Sequence, residues 1–452
     1  TTADNNTAVG LAALNANTTG SENTAVGTSA LAANTTADSN TAVGFKSLLV
    51  NTTGTANTGL GESTLRANTT AASNTAVGFS ALTANTTGAN NIAVGDSALL
   101  ANTTAANNIG IGVASLLVNT TGAENIAIGT SALRNTTTGT RNNALGYLSL
   151  TANTTGDNNT ALGSQALQAN TTADGNTAVG YAALNLNTTG AANVALGQFA
   201  LLANTTGATN TAVGRDALTA NTTAANNTAV GASALSASTT AAENTAVGRL
   251  SAIAVTTGSS NVFLGYRTGT HTVASTTGGT NTIIGSYAHT SAVDSTSANG
   301  FGHDLACAAG YTTVGVSADD IRAAHGTATW AAVSDERYKK DIVDSTAGLS
   351  FINALKPRTF KYKTLGELPE AFNAYKADST KVFKNSDTNH GFIAQEVKAA
   401  IDADSSIKDG FRLWDDRDDG SQEVAEAALI PVLTKAVQEL STALDAALAR
   451  IA

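Results

Sequence analysis

A repeat of 17 residues dominates this sequence. A motif close to NTAVGxxALxANTTGxx begins at Asn6 and recurs at the same step as far as Asn261, which makes sixteen copies, and one more begins at Asn281 after a step of 20. Within the sixteen copies the first residue is always Asn and the fifth is always Gly. A fixed period of this kind indicates stacked structural units, each in contact mainly with its neighbours.

Each copy has the pattern of one rung of a parallel β-solenoid. The period is too short for a helix–turn–helix unit, and short apolar runs alternate with Asn, Gly and Thr. We expect a strand at 7–9, a corner at Gly10, and a second strand that begins at Ala13–Leu14 and ends in the turn Asn17–Gly20. All three prolines lie beyond the repeats, where no ladder needs their N–H. Stacking at about 4.8 Å per rung predicts a shaft of roughly 75 Å.

Nearly every copy also contains an N-x-T sequence, such as Asn17–Thr18–Thr19. This is the acceptor pattern for N-glycosylation in secreted proteins. Its recurrence at one corner of every rung favours a structural ladder of turn residues instead.

Composition and charge exclude several functions. The net charge of -10 argues against a phosphate-binding surface, so we expect no nucleic-acid partner. No apolar run approaches the roughly 20 residues of a membrane span, so we expect no membrane insertion. Cys307 and the nearby His303 lack further ligands, so we interpret them as packing residues and expect no metal and no cofactor. The chain has no Met, even at position 1, so we expect it to be a processed or truncated piece.

A single coil of Ala, Val and Leu has a thin core and leaves apolar surface on its sides, so we expect chains to associate. The run Asn23–Gly27 places Asn, a small residue, an aliphatic residue and Gly in order. In this it resembles the head repeats of trimeric autotransporter adhesins, which are parallel β-rolls. The resemblance covers residues 6 to about 290 and implies a homotrimer.

From about residue 300 the period disappears, while charge, aromatic residues and the prolines become frequent. We therefore predict three parts. Residues 1–290 form the solenoid shaft, residues 291–333 form a β-rich transition or tip, and residues 334–452 form a small α/β domain that ends in a coiled-coil helix.

Four motifs follow one another in the last part. They are SDERYKKDI at 334–342, LKPRTFKY at 355–362, HGFIAQEV at 390–397, and a closing helix from LIPVL at 429–433 through Glu439–Leu440. In this order they resemble the intramolecular chaperone domain of phage endosialidases, tail fibres and neck appendages. The resemblance implies that the domain is released from the finished fibre by cleavage of the Ser334–Asp335 bond.

The same resemblance assigns Ser334 and Lys339 as the catalytic pair. A neutral lysine can take the proton of a serine hydroxyl. Because a serine cannot readily attack its own carbonyl, attack on the Ser334–Asp335 bond would come from a neighbouring subunit. The activity would be a single-turnover autoproteolysis with no external substrate. Three residues are expected to support the junction: Arg337, His390 and Glu396.

The closing helix has apolar residues at alternate steps of four and three, which is the a/d pattern of a coiled coil. They are Leu433, Val437, Leu440, Leu444, Ala447 and Ile451. Nearly identical rungs let neighbouring chains slip by 17 residues at almost no cost in free energy. We therefore expect this helix to align three chains and to set their register before the shaft assembles.

Three classes of function remain open. The first is a structural fibre of a phage tail or a similar particle, which attaches to a host or other surface through an unidentified receptor, with a glycan as one candidate. The second is a bacterial cell-surface adhesin or extracellular filament. The third is a polysaccharide depolymerase, for which the repeats offer neither inserted loops nor paired carboxylates. The first accounts for both the shaft and the chaperone.

Overall fold

The computed structural model describes residues 3–270, 273–327, 331–332, 336, 339–404, 407, 413–416 and 421–451. The chain divides into two compact units, Thr1–Val333 and Ser334–Ala452. The first is mainly β, and the second combines helices with short strands.

The first unit is a parallel β-solenoid of 17-residue rungs, which confirms the prediction from the repeat. Thr and Val favour the extended backbone of each short strand. Each strand pairs in parallel with the equivalent strand of the next copy, so that Thr24 lies opposite Thr41. The strands are β1 Thr7–Val9, β2 Thr24–Val26, β3 Thr41–Val43, β4 Thr58–Leu60, β5 Thr75–Val77, β6 Ile92–Val94, β7 Ile109–Ile111, β8 Ile126–Ile128, β9 Asn143–Leu145, β10 Thr160–Leu162, β11 Thr177–Val179, β12 Val194–Leu196, β13 Thr211–Val213, β14 Thr228–Val230, β15 Thr245–Val247, β16 Val262–Leu264 and β17 Thr282–Ile284.

The parallel ladder continues beyond the last copy of the repeat. Strand β18 (His289–Thr290) pairs in parallel with β20 (Ala306–Cys307), and β19 (Asn299–His303) pairs in parallel with β17. Strand β21 (Tyr311–Val316) extends the ladder from β19. The direction then reverses, because β22 (Asp319–Ala324) and β23 (Ala331–Ala332) pair antiparallel.

The prediction of a second strand at Ala13–Leu14 is wrong. These residues lie in a turn, and the equivalent leucine of the next rung, Leu31, has φ of 50°. In this conformation the N–H of Leu31 donates to Ser47 O of the following rung at 3.0 Å, whereas the N–H of Ser29 donates to Leu11 O of the preceding rung at 2.8 Å. The segment therefore satisfies its backbone in both directions without being extended. The buried leucine side chains fill the core.

Two columns of buried asparagines join the rungs. In the first column, Asn57 donates through its backbone N–H to Asn40 Oδ1 at 3.0 Å and through Nδ2 to Ala71 O at 2.8 Å. In the second, Asn68 of an N-x-T sequence donates through Nδ2 to Asn51 Oδ1 at 2.8 Å and to Ala71 O at 2.9 Å. Because the amide is buried and already bonded, the geometry supports a turn ladder and not a glycosylation site.

The described part of the second unit contains three α-helices: α1 Leu349–Ala354, α2 Ala394–Ala403 and α3 Leu429–Ile451. Their shared core includes Phe351, Val397, Ile401 and Val432. Two antiparallel pairs of strands accompany them, namely β24 Arg358–Phe360 with β25 Asn389–Gly391, and β26 Trp414–Asp416 with β27 Gln422–Val424. Short 3-10 helices occur at Leu365–Glu367 and Glu426–Ala428. Within the described residues, no helix is long and apolar enough to cross a membrane.

Candidate functional site

The predicted cleavage junction itself is not among the described residues. Ser334, Asp335 and Arg337 lie outside the described residues. Lys339 is exposed, and its backbone N–H donates to Glu336 O at 2.9 Å. The pairing of Ser334 with Lys339 therefore stays a prediction.

The two other supporting residues, His390 and Glu396, lie close together in the chain but make different contacts. His390 is exposed on β25, opposite Thr359 of β24. Glu396 lies in the first turn of α2 and binds Arg358 of β24 through two parallel hydrogen bonds. One joins Nε to Oε2 at 2.9 Å, and the other joins Nη2 to Oε1. This forked pair joins the second and third sequence motifs.

Arg358 was not among the residues singled out from the sequence. Its position in the motif at 355–362 was visible, but nothing local indicated that it would face Glu396, which lies 38 residues further along the chain. Antiparallel pairing of β24 with β25 places Arg358 opposite Gly391, and α2 starts three residues after Gly391. The tertiary fold thus created the pair.

Among the described residues, the buried side chains of helix α3 all lie in its first half. Leu429, Val432 and Ala436 are buried, and Glu439 Oε2 accepts a hydrogen bond from the N–H of Leu349 at 2.8 Å. A carboxylate at that position satisfies one of the unpaired N–H groups at the start of α1. From residue 441 onward, every described side chain of α3 is exposed.

The residues of the predicted coiled-coil seam all lie on the exposed surface of α3. Val437 is 63% exposed, Leu440 51% and Ile451 82%, and Leu433 and Leu444 are also exposed. The sequence interpretation missed Ile430, which is 64% exposed and continues the pattern one step of three before Leu433. The apolar face therefore runs along the whole helix.

A cysteine can act as a metal ligand or as a nucleophile, but the burial of Cys307 opposes both roles. Cys307 is fully buried, and its Sγ donates weakly to Leu305 O at 3.7 Å. Burial, with a smaller effect of the charge of Asp320, raises the pKa of the thiol to about 12, so the thiolate that either role requires is disfavoured. Among the described residues, no group of three or more His, Cys, Asp and Glu side chains could hold a metal ion.

Comparison with protein families identifies the C-terminal region. Residues 334–404 match the family described as chaperone of endosialidase. They form a chaperone-of-endosialidase domain. No curated protein and no solved structure matches the chain. With the solenoid before it, the chaperone domain makes this chain a fibre-like structural protein with a C-terminal chaperone.

The Arg358–Glu396 pair in the chaperone domain leads to a prediction about pH. The hydrogen bonds from Arg358, with a smaller effect of its charge, hold the pKa of Glu396 below its usual value. Because the folded state has the lower pKa, the stabilisation is complete above the pKa of the unfolded chain and is lost as the pH falls through the folded value. We expect Glu396→Gln to lower the Tm of the helical signal by a few degrees at pH 7 and by less at pH 3.

A matched control is available on the same helix. Lys398 and Asp402 form an exposed i,i+4 pair at 2.8 Å, the kind of pair that contributes little. Asp402→Asn should change the Tm at pH 7 by less than Glu396→Gln does. Thermal unfolding followed by circular dichroism at both pH values measures this. Equal effects of the two substitutions would show that the Arg358–Glu396 pair has no special role.

Proposed function

We propose that this chain forms a homotrimeric fibre, a phage tail fibre or a similar particle, that attaches to a host surface. The chaperone domain assembles the trimer, sets its register and then separates by self-cleavage at Ser334–Asp335. The observation that carries the proposal is the exposed a/d face of α3, which lies in the same compact unit as the residues 334–404 that match the chaperone family. An apolar helix face of that length needs a partner, and a parallel copy of the same helix offers the matching pattern.

The apolar residues along the coiled-coil seam of α3 favour assembly of several chains, and the number of chains is decided by measurement. The a positions of the seam hold Ile430, Val437, Leu444 and Ile451, and the d positions hold Leu433 and Leu440. β-branched residues at a with leucine at d also suit two strands. The number three comes from the resemblance to the chaperone domains of trimeric fibres.

The shaft also has an apolar surface, which copies of the chain would cover by packing against one another. The third residue of every strand from β1 to β17 is Val, Leu or Ile, and none of these side chains is buried. They form one continuous column, because equivalent residues are Cα partners in the ladder. Three chains in the same register would place this column against its copies around a common axis, which removes apolar area from water at every rung.

Self-cleavage follows from assembly in this proposal. The hydroxyl oxygen of Ser334 attacks the carbonyl carbon of Ser334 in a neighbouring chain, and Lys339 takes the hydroxyl proton and passes it to the departing amine of Asp335. Water then hydrolyses the resulting ester. The reaction needs two chains, so only assembled fibres would lose their chaperone.

The proposal is tested with full-length protein. We expect the wild type to yield two bands on a denaturing gel, one ending at Ser334 and one beginning at Asp335, together with a trimeric mass by light scattering. Ser334→Ala and Lys339→Met should each leave a single full-length band, while the trimeric mass is retained. Lys340→Met is the matched control, because Lys340 is adjacent and exposed, and it should cleave like the wild type. A wild-type trimer that remains uncleaved would refute the autoproteolytic part.

A further inference from the structure

The last rungs of the shaft carry a column of aromatic and cationic side chains that the repeat does not explain. Arg249, Tyr266, Tyr287 and His303 follow one another in neighbouring rungs. Arg249 Nη1 lies 3.4 Å from Tyr266 OH. The rings of Tyr266 and Tyr287 meet edge to face at 5.3 Å, and those of Tyr287 and His303 at 5.8 Å. We call these four residues the aromatic column.

The shaft does not need this column in order to fold. Ala232 holds the same rung position as Arg249, directly after the corner glycine, and its rung keeps the inter-rung bond from Gly231 N to Val213 O at 2.7 Å. Tyr147 also holds that position, and it makes no ring or cation contact with a described residue. The column is therefore a local addition to a scaffold that is complete without it.

Its charge differs from that of the chain as a whole. The protein carries a net charge of -10, yet Arg249 and its neighbour Arg267 are exposed and form no ion pair with any described acidic residue. Arg215, at the same rung position as Arg249 but two rungs earlier, is neutralised by Asp216 at 2.8 Å. The guanidinium of Arg249 lies 5.7 Å from the centre of the Tyr266 ring, and with the exposed Arg267 in the next rung it makes this surface locally positive and partly apolar.

We propose that the aromatic column binds a carboxylated polysaccharide, such as a uronic-acid polymer. A guanidinium group matches a carboxylate with two parallel hydrogen bonds. Tyrosine hydroxyls and the imidazole of His303 can exchange hydrogen bonds with sugar hydroxyls, while the ring surfaces contact the apolar C–H faces of the sugars. Side chains in successive rungs suit a ligand that is itself a chain of repeated units.

This inference deepens the proposed function and rests on it for its biological meaning, because it names the class of receptor. Cleavage at Ser334–Asp335 would leave the aromatic column in the last rungs of the released fibre. In a trimer, three copies would bind one surface together, so weak single contacts would add up to firm attachment.

The test uses full-length protein and three immobilised polymers: polygalacturonate, neutral dextran and dextran sulfate. We expect binding to polygalacturonate only. Arg249→Gln and Tyr266→Ala should each weaken it by about tenfold or more, the loss expected when a charged hydrogen bond or a ring contact is removed. Arg215→Gln is the matched control and should change binding by less than about twofold, since Arg215 is already paired. Circular dichroism confirms that each variant is folded.

Several outcomes would overturn the inference. They are equal binding to dextran sulfate, which would mean general charge attraction, equal effects of Arg249→Gln and Arg215→Gln, and no binding to polygalacturonate by a trimeric sample. Light scattering on the same samples separates this result from the proposed function. A trimer that cleaves itself but does not bind refutes only the receptor class. Binding that depends on Arg249 in a sample that is neither trimeric nor cleaved refutes only the fibre proposal.

Discussion

Leu440→Asp in α3 is expected to convert the assembled protein into single chains. Leu440 is half exposed in the isolated chain and lies at the centre of the a/d face. Burying one leucine side chain contributes about 1.5–3 kcal/mol. The substitution removes that contribution from every chain and places like-charged carboxylates together in an apolar seam, where an unpaired charge costs several kcal/mol. Both effects act against assembly, and both recur in each chain.

Light scattering and sedimentation at micromolar concentration measure the outcome. Gln438→Asp is the matched control, because it adds the same charge two residues away on an exposed position outside the seam. We expect the control to keep the mass of the wild type. If cleavage needs two chains, Leu440→Asp should also leave the Ser334–Asp335 bond intact. An assembled Leu440→Asp protein would show that α3 is not the assembly surface.

Gly129→Ala is expected to break the shaft locally. Gly129 has φ of 130°, a conformation that residues with a side chain rarely adopt. A Cβ atom there would lie 2.5 Å from Gly146 O and 2.7 Å from Gly146 C, both backbone atoms of the next rung. Neither can move away, because adjacent rungs are bonded, for instance from Gly146 N to Ile128 O at 2.8 Å. Backbone strain and steric overlap together should cost about 3 kcal/mol or more.

Gly175→Ala provides the comparison. Gly175 has φ of 68°, and a Cβ atom there would meet nothing within 4 Å. Its equivalents in other rungs, such as Asn158 and Ala192, have similar φ values and are not glycine. We therefore expect only the intrinsic cost of the left-handed conformation, about 1 kcal/mol.

Amide hydrogen exchange shows where each substitution acts. In a stack in which each rung contacts mainly its neighbours, the damage from Gly129→Ala should appear as faster exchange in the nearest rungs and fade with distance. Equal protection in the two variants would mean that the corner glycines are not sterically required.

Much of the fold could be predicted because each 17-residue copy of the repeat corresponds to one rung of the solenoid. Equivalent residues at a constant step become ladder partners, so the period of the sequence became the register of the sheet. The corner glycines and the buried asparagines were recognisable by the same recurrence. The turn that contains Leu31 was not, because an Ala–Leu pair between polar residues has the same local pattern whether it is extended or left-handed. Hydrogen bonds to Ser47 in the next rung decided between the two.

In the chaperone domain, too, some features could be predicted from the sequence and others depended on the tertiary fold. Its motifs and the a/d spacing of α3 could be seen in the chain alone, since both are short-range patterns. The partner of Glu396 could not, because Arg358 meets it only after β24 and β25 have paired. The sequence also placed Glu439 in the closing helix without showing that its carboxylate would bond to the N–H of Leu349.

By itself, then, the sequence determined the solenoid, its 17-residue register, the chaperone domain and the apolar spacing of α3, because each of these depends on residues at fixed intervals along the chain. Only the tertiary structure decided the turn at Leu31, the Arg358–Glu396 pair, and the alignment of Arg249, Tyr266, Tyr287 and His303 into one column. These features depend on which side chains the stacked rungs and paired strands bring together across long stretches of chain. Local propensity carries no information about such contacts.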